Sequence, residues 1–272
     1  MALSTNLLKK LPPELVYGLQ GGALELAGAG AAAATHAPGR AFTSLATGCG
    51  PLDRALPDAG LLKGAVVELT VLGAAALATS IGLLACRSAQ QASQELGGIM
   101  PWCAFIDPSR SLYAPGVAEL GVELEQLLVV RPAVEALSRV ALRLVESQCF
   151  AVVVIDTVGV PGAELNVSLG HWPRVVRRLA MAVESSQCSV LLITDRAQRR
   201  PLPLPVAQRI ELQRSQAHKL ILQVAKDRRG RISKPRPIVL QEEDASPARS
   251  VRGQGEQGPL TSSCQQRVSD AC

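Results

Sequence analysis

The stretch "VVELTVLGAAALATSIGLLAC", residues 66–86, decides the fold. Its first part is rich in Val, Leu and Thr, the composition of a strand buried on both faces. Its second part is an apolar run of helix length, dominated by Ala and Leu. A buried strand running into an apolar helix is a common scaffold for a phosphate-binding turn, because the first N–H groups of the helix are left free at the sheet edge. The turn here, "GAAALA", contains no lysine or arginine.

Outward from this stretch the same rhythm repeats. Apolar β-rich runs occur at 65–71, 102–107, 127–131, 151–156 and 189–195, and helix-length segments separate most of them. Such alternation predicts an α/β fold, a mostly parallel twisted sheet with helices on both faces. Beyond Asp195 the pattern changes to two runs in "VAQRIELQRSQAHKLILQVAKDRRGR", which predict a C-terminal antiparallel hairpin about the polar "RSQAH". Residues 1–41 read as an N-terminal arm and a Gly/Ala-rich linker, 42–240 as the core domain, and 241–272 as a disordered tail low in aliphatic residues.

Composition narrows the function classes. Hydrophobic residues make up 47% of the 272 but aromatics only 3%, so the core is built from Ala, Val and Leu. The seven cysteines are odd in number, form no CxxC pair and have no histidine cluster beside them, which argues against a disulfide framework and against a zinc site. Cys86, Cys103, Cys149 and Cys188 lie in apolar runs, where a reduced thiol behaves as a small hydrophobe. A reducing cytoplasm follows as the expected compartment. Residues 69–86 approach the length of a short membrane span, but Gly, Thr and Ser dilute the run and Glu68 adjoins it, so no membrane helix is expected. His36, His171 and His218 are scattered, and no nucleophile–base set stands at usable spacing.

Several blocks resemble the RecA family. "TGCGPLDRALPDAGLLKGAVVEL" (47–69) is similar to the segment entering the first core strand, with Gly48, Leu52, Asp53, Ala55, Leu56, Gly60, Leu61, Gly64 and Glu68 at matching places. "CAFIDPSRSL", "LGVELEQLLVVRP" and "AVVVIDTVG" resemble the next RecA blocks, the last being its Walker B strand. The resemblance implies a RecA-like P-loop NTPase core. The short loops after Asp156 and Asp195 look closest to ImuA-type proteins, RecA-related accessories of damage-induced mutagenesis.

A working phosphate loop, G-x-x-x-x-G-K-[ST], uses glycines to turn N–H groups onto the phosphates, lysine to offset their charge and a hydroxyl to hold Mg²⁺. In the ungapped register fixed by Glu68, Val71, Ala76, Leu77 and Ala78 occupy those places. Shifting by two residues recovers Gly73 and puts Ser80 at the hydroxyl position, but Ala78 then replaces the second glycine and Thr79 the lysine. The resemblance also implies that Ser109 stands where RecA carries a water-activating glutamate, and Asp195 where it carries a γ-phosphate-sensing glutamine. Gly73, Thr79, Ser80 and Asp156 are thus the candidate residual nucleotide and Mg²⁺ site. Asp156 reads first as a polar residue closing a strand, held by neighbouring N–H groups, and second as a residual metal or nucleotide contact. No cofactor is firmly expected; ATP with Mg²⁺ is the one candidate.

Positive charge concentrates late in the chain. Between Arg196 and Arg236 twelve Lys or Arg residues stand against two acids, a net of +10 in a chain whose total is +5. Arg196, Arg199, Arg200, Lys226, Arg228, Arg229, Arg231, Lys234 and Arg236 are candidate DNA- or partner-binding residues. So are Arg174, Arg177 and Arg178, on a helix whose opposite face carries Trp172, Val175, Val176, Leu179 and Val183. Aromatic rings are absent from the basic segment, so DNA binding is expected to be weak and salt-sensitive. By the resemblance, Lys226 and Arg228 match lysines that reach across a filament interface, and RecA itself and a Y-family-like polymerase are the implied partners. Three functions stay open: an accessory protein of DNA repair and translesion synthesis without ATPase activity, a DNA-dependent ATP-binding recombinase with a variant loop, and a structural module unrelated to DNA.

Overall fold

The computed structural model describes residues 44–73, 77–95, 97–159, 165, 167–184, 186–196, 203–215 and 219–239. The expected arm and tail, His36, His218, Arg199 and Arg200 lie outside them. The described residues form a short antiparallel pair, β1 (Ser44–Leu45) with β2 (Leu61–Leu62), and an eight-stranded sheet. Its strands are β3 (Val66–Leu72), β4 (Trp102–Ile106), β5 (Leu127–Val130), β6 (Phe150–Asp156), β7 (Ser189–Asp195), β8 (Gln208–Arg214), β9 (Leu220–Asp227) and β10 (Arg236–Ile238). They lie in the order β10-β9-β8-β3-β7-β6-β4-β5. Pairing is parallel from β8 to β5 and antiparallel among β8, β9 and β10. The alternating sheet and the late hairpin therefore stand as expected, and β10 extends the hairpin by one strand.

Side-chain alternation divides the core into two layers. Val67, Leu69, Val152, Val154, Leu191 and Ile193 face a layer closed by α2 (Ala78–Glu95), while Val66, Val153, Ile155, Val190 and Leu192 face one closed by α4 (Leu137–Glu146) and α5 (Trp172–Glu184). Two shorter helices, α1 (Gly50–Asp53) and α3 (Ala114–Glu119), lie in the connections. All five apolar residues expected on the inner face of α5 are buried. Cys86, Cys103 and Cys188 are buried and Cys149 is half-buried. Among the described residues no helix is long and apolar enough to cross a membrane.

The entry segment is organised by Asp53, whose carboxylate accepts the Thr47 N–H (2.8 Å), the Thr47 hydroxyl (2.7 Å) and the Gly48 N–H (3.1 Å). Gly60 lies against the carbonyl oxygen of Leu45, where a Cβ would stand only 2.5 Å away. Any larger residue would push β1 off β2.

Candidate functional site

The carboxyl ends of β3, β7, β6 and β4 lie side by side, so Gly73, Asp195, Asp156 and Asp107 follow one edge of the parallel sheet. Ligands of open α/β sheets bind at this edge. β3 ends at Leu72, and Gly73 follows with φ +79°, a conformation that favours glycine. α2 starts at Ala78, which puts Thr79 and Ser80, both half-buried, in its first turn. The strand thus ends just before Gly73, as in the register shifted by two. No lysine or arginine occurs between Leu77 and Cys86, the first turns of α2. Arg87, a turn further on, is anchored elsewhere: its guanidinium donates to the carbonyls of Leu120 (3.3 Å) and Gly48 (3.4 Å).

Asp156 is 2% exposed and accepts the N–H groups of Val158 (2.8 Å) and Gly159 (2.9 Å) on Oδ1. Burial raises its pKa above the ordinary carboxylate value, the negative field of Asp107 adds to the rise, and the two N–H donors oppose it. Asp107 is itself fully buried and closes the turn after β4. Its Oδ1 accepts the Ser109 hydroxyl (2.8 Å) and the Ser111 N–H (3.1 Å), its Oδ2 the Leu112 N–H (2.9 Å), and the Arg131 Nε lies 3.8 Å away. Ser109 is tied into this turn, also sharing a 2.8 Å hydrogen bond with the Ser111 hydroxyl. Asp195 is exposed at the end of β7. The edge therefore gathers carboxylates where a polyphosphate would need cations, and among the described residues no group of three or more metal-ligating side chains forms.

The basic residues of the described segments differ in burial and in the contacts they make. Arg196 pairs with Glu211 (2.7 Å), and Arg229 (3.3 Å) and Arg231 (2.7 Å) both reach Asp58. Arg231 also grips Asp227 (2.7 Å), while Arg236 donates to the carbonyl of Ala55 (2.7 Å). These contacts clamp the hairpin onto residues 55–58. Asp58 is held below the usual carboxylate range, first by its hydrogen bond from Arg231. Arg174 and Arg177 are exposed on α5, and Arg178 beside them pairs with Glu146 (3.0 Å). Arg228 and Lys234 are exposed. So is Lys226, although its Nζ donates to the Leu204 carbonyl (3.3 Å); burial, then the charge of Arg209, lowers its pKa from the ordinary lysine value.

A family model of the RecA N-terminal domain matches residues 30–196. The chain belongs to the RecA family. It is similar to protein RecA of Blastochloris viridis, 33% identical over 164 residues that cover 56% of this chain and 45% of that protein. It is also similar to protein RecA of Azospirillum lipoferum strain 4B, 33% identical over 163 residues (56% and 43%). With protein RecA of Brucella anthropi it shares 31% identity over 172 residues (59% and 45%). The chain thus spans less than half the length of these curated relatives.

Two features of this RecA-family core escaped the reading of the sequence. Glu68 is 3% exposed inside the sheet, where its Oε2 accepts the Arg209 Nε at 2.6 Å and its Oε1 the Thr194 hydroxyl at 2.8 Å. Arg209, counted among the surplus cations of the basic segment, is 8% exposed. The available signal was an acid within the apolar run "VVELT" and a base within "VAQRIEL", since charges on buried strands require partners. The second feature is Asp107, legible in "DPSRS" as an acid followed by turn-forming residues.

Proposed function

We propose that this RecA-family chain is an accessory protein of bacterial DNA repair, of ImuA type, that acts in damage-induced translesion synthesis without hydrolysing ATP. The carrying observation is the phosphate turn: it opens on Gly73 and enters α2 without a cation, beside an edge occupied by Asp107, Asp156 and Asp195. Phosphoryl transfer depends on positioning and on neutralising charge at the transferred group. The free N–H groups of the first turn of α2 supply only about half an elementary charge. Ser109 cannot act as a carboxylate base, and its hydroxyl is committed to Asp107. In this reading the cytoplasmic protein works by docking, with RecA and a Y-family-like polymerase as partners and DNA as a weak, salt-sensitive contact.

The second reading, an ATP-binding recombinase of the RecA family, is favoured by Gly73 at the loop start and by exposed Lys226, which would supply a cation to a neighbouring copy. Equilibrium binding of a fluorescent ATP analogue with Mg²⁺, with and without single-stranded DNA, separates the two. The accessory reading expects no binding at millimolar nucleotide. Micromolar binding that disappears in Asp156→Ala would establish a nucleotide site and overturn it.

A further inference from the structure

The two edges of the eight-stranded sheet are unequal. At one edge β10 is guarded: its residues are Arg236, Pro237 and Ile238, and Lys234 and Pro235 precede it. Charge and proline are the usual means by which an edge strand avoids further pairing. At the other edge β5 has neither, being Leu127, Leu128, Val129 and Val130. Val129 is 37% exposed, and Leu127 and Leu128 are half-buried. Among the described residues β5 is paired on one side only. The Val130 carbonyl accepts the Asp107 N–H (2.8 Å) at the end of β4 and so faces that strand. Peptide groups alternate sides along a strand, so Leu127 and Val129 turn theirs outward.

We infer that β5 is a self-pairing edge, through which two copies of this chain join by antiparallel β5 strands about a twofold axis. Outward-facing peptide groups must meet outward-facing ones, so the axis passes through a residue and not between two. Centred on Leu128, the pairing sets Leu127 against Val129 of the second copy twice and Leu128 against itself. The same register sets Glu125 against Arg131 at both ends. Centring on Leu127 would instead oppose Glu125 to Val129, and centring on Val129 would oppose Arg131 to Leu127. Glu125 is exposed and, among the described residues, unpaired. The Arg131 side chain is 48% exposed; its Nε and Nη2 rest on Asp107 and Leu112, which leaves Nη1 to meet a carboxylate. Any extended peptide could use the backbone edge. The order acid, apolar strand, base is complementary to its own reverse, and that favours a second copy as the occupant. Apolar cross-strand pairs and ladder hydrogen bonds hold the two strands, while the end ion pairs fix their register. Strands of four residues make a small interface, so the dimer is weak, with a Kd of roughly micromolar or above.

Sedimentation velocity of the full chain, reduced and without nucleotide, reads the association from low to high micromolar concentration. A monomer–dimer equilibrium is expected. Val129→Lys places a charge on the exposed edge and is expected to weaken the dimer at least tenfold. Glu125→Lys sets a like charge against each Arg131 and is expected to weaken it several-fold at low salt, with the difference from wild type shrinking as salt is added. Both positions are exposed, so the urea midpoint should stay near that of wild type in each variant, which separates lost pairing from lost fold. A chain that is monomeric throughout the series, or a dimer that Val129→Lys leaves intact, overturns the proposal. Assemblies that grow beyond two copies also overturn it, because a twofold edge pair closes on itself. A monomer that binds a labelled synthetic peptide of residues 5–19, and loses it in Val129→Lys, assigns the edge to the chain's own N-terminal arm instead. Nucleotide is absent throughout, so failure here is distinct from the ATP binding that would overturn the accessory reading.

Discussion

Single residues at the sheet edge have unequal freedom to change. Asp156 holds two N–H groups on one oxygen while burial disfavours its charge. Asp156→Asn keeps the accepting oxygen and removes the charge beside Asp107; Asp156→Ala leaves two donors without an acceptor. At pH 7 the Asn variant is expected to unfold at or above the wild-type urea midpoint, and the Ala variant to lose about 1–3 kcal/mol. The sign follows from the raised pKa of the folded state: the group's stabilisation is complete below the ordinary carboxylate value near pH 4 and is lost as pH rises through the raised value. The advantage of Asn over wild type should therefore grow upward through that window, and a constant difference would contradict the assigned shift. Gly60 makes a purely steric demand. With a Cβ placed 2.5 Å from the Leu45 oxygen, Gly60→Ala is expected to cost about 1–3 kcal/mol in urea unfolding, the usual size of an overpacking penalty.

At the scale of elements, legibility followed periodicity. Ser189–Asp195 matches its expected range, and β3, β4, β5 and β6 fall within one residue of theirs, because continuous apolar runs bounded by turn residues leave few alternatives. The α5 face was equally plain, since five apolar residues at helical spacing select one side. Strand β10 was illegible: "RPI" is short, carries a proline and acquires its pairing only from β9. The candidate edge site was half legible. Asp156 and Gly73 stood out as motif positions and Asp107 had a local signal in "DPSRS", but the Glu68–Arg209 pair depends on which strands become neighbours, and β3 and β8 are 141 residues apart at that contact. This pair ties the parallel sheet to the hairpin. Removing one partner strands the other charge in the interior, so Arg209→Met is expected to destabilise by about 3–5 kcal/mol. Adding Glu68→Leu to it should recover most of the loss in a double-mutant cycle by urea unfolding. Additive losses would mean that packing, rather than the ion pair, holds β8 to β3.

Across the whole molecule the twelve cations of the basic segment overstate what a polyanion can reach. The basic segment has a formal excess of +10, but Arg196 and Arg209 are neutralised by Glu211 and Glu68, and Arg229 and Arg231 by Asp58 and Asp227. A single strand of DNA that contacts three of the remaining cations, as the exposed Lys219, Lys226 and Lys234 allow, would show a log–log salt slope of roughly −2, since each neutralised phosphate contributes about −0.7. We expect a slope no steeper than that for oligothymidylate, about a fifteen-fold loss of affinity between 50 and 200 mM salt. Arg231→Ala should then lower stability, because Asp227 loses its guanidinium partner and Asp58 keeps only Arg229, while leaving the DNA affinity within about twofold. The stabilising part of this clamp depends on Asp58 being ionised, so the Arg231→Ala defect should shrink as pH falls through the depressed Asp58 pKa. A slope near −5 with a large affinity loss in Arg231→Ala would show instead that the clamp opens on DNA and that the segment binds phosphates as a unit.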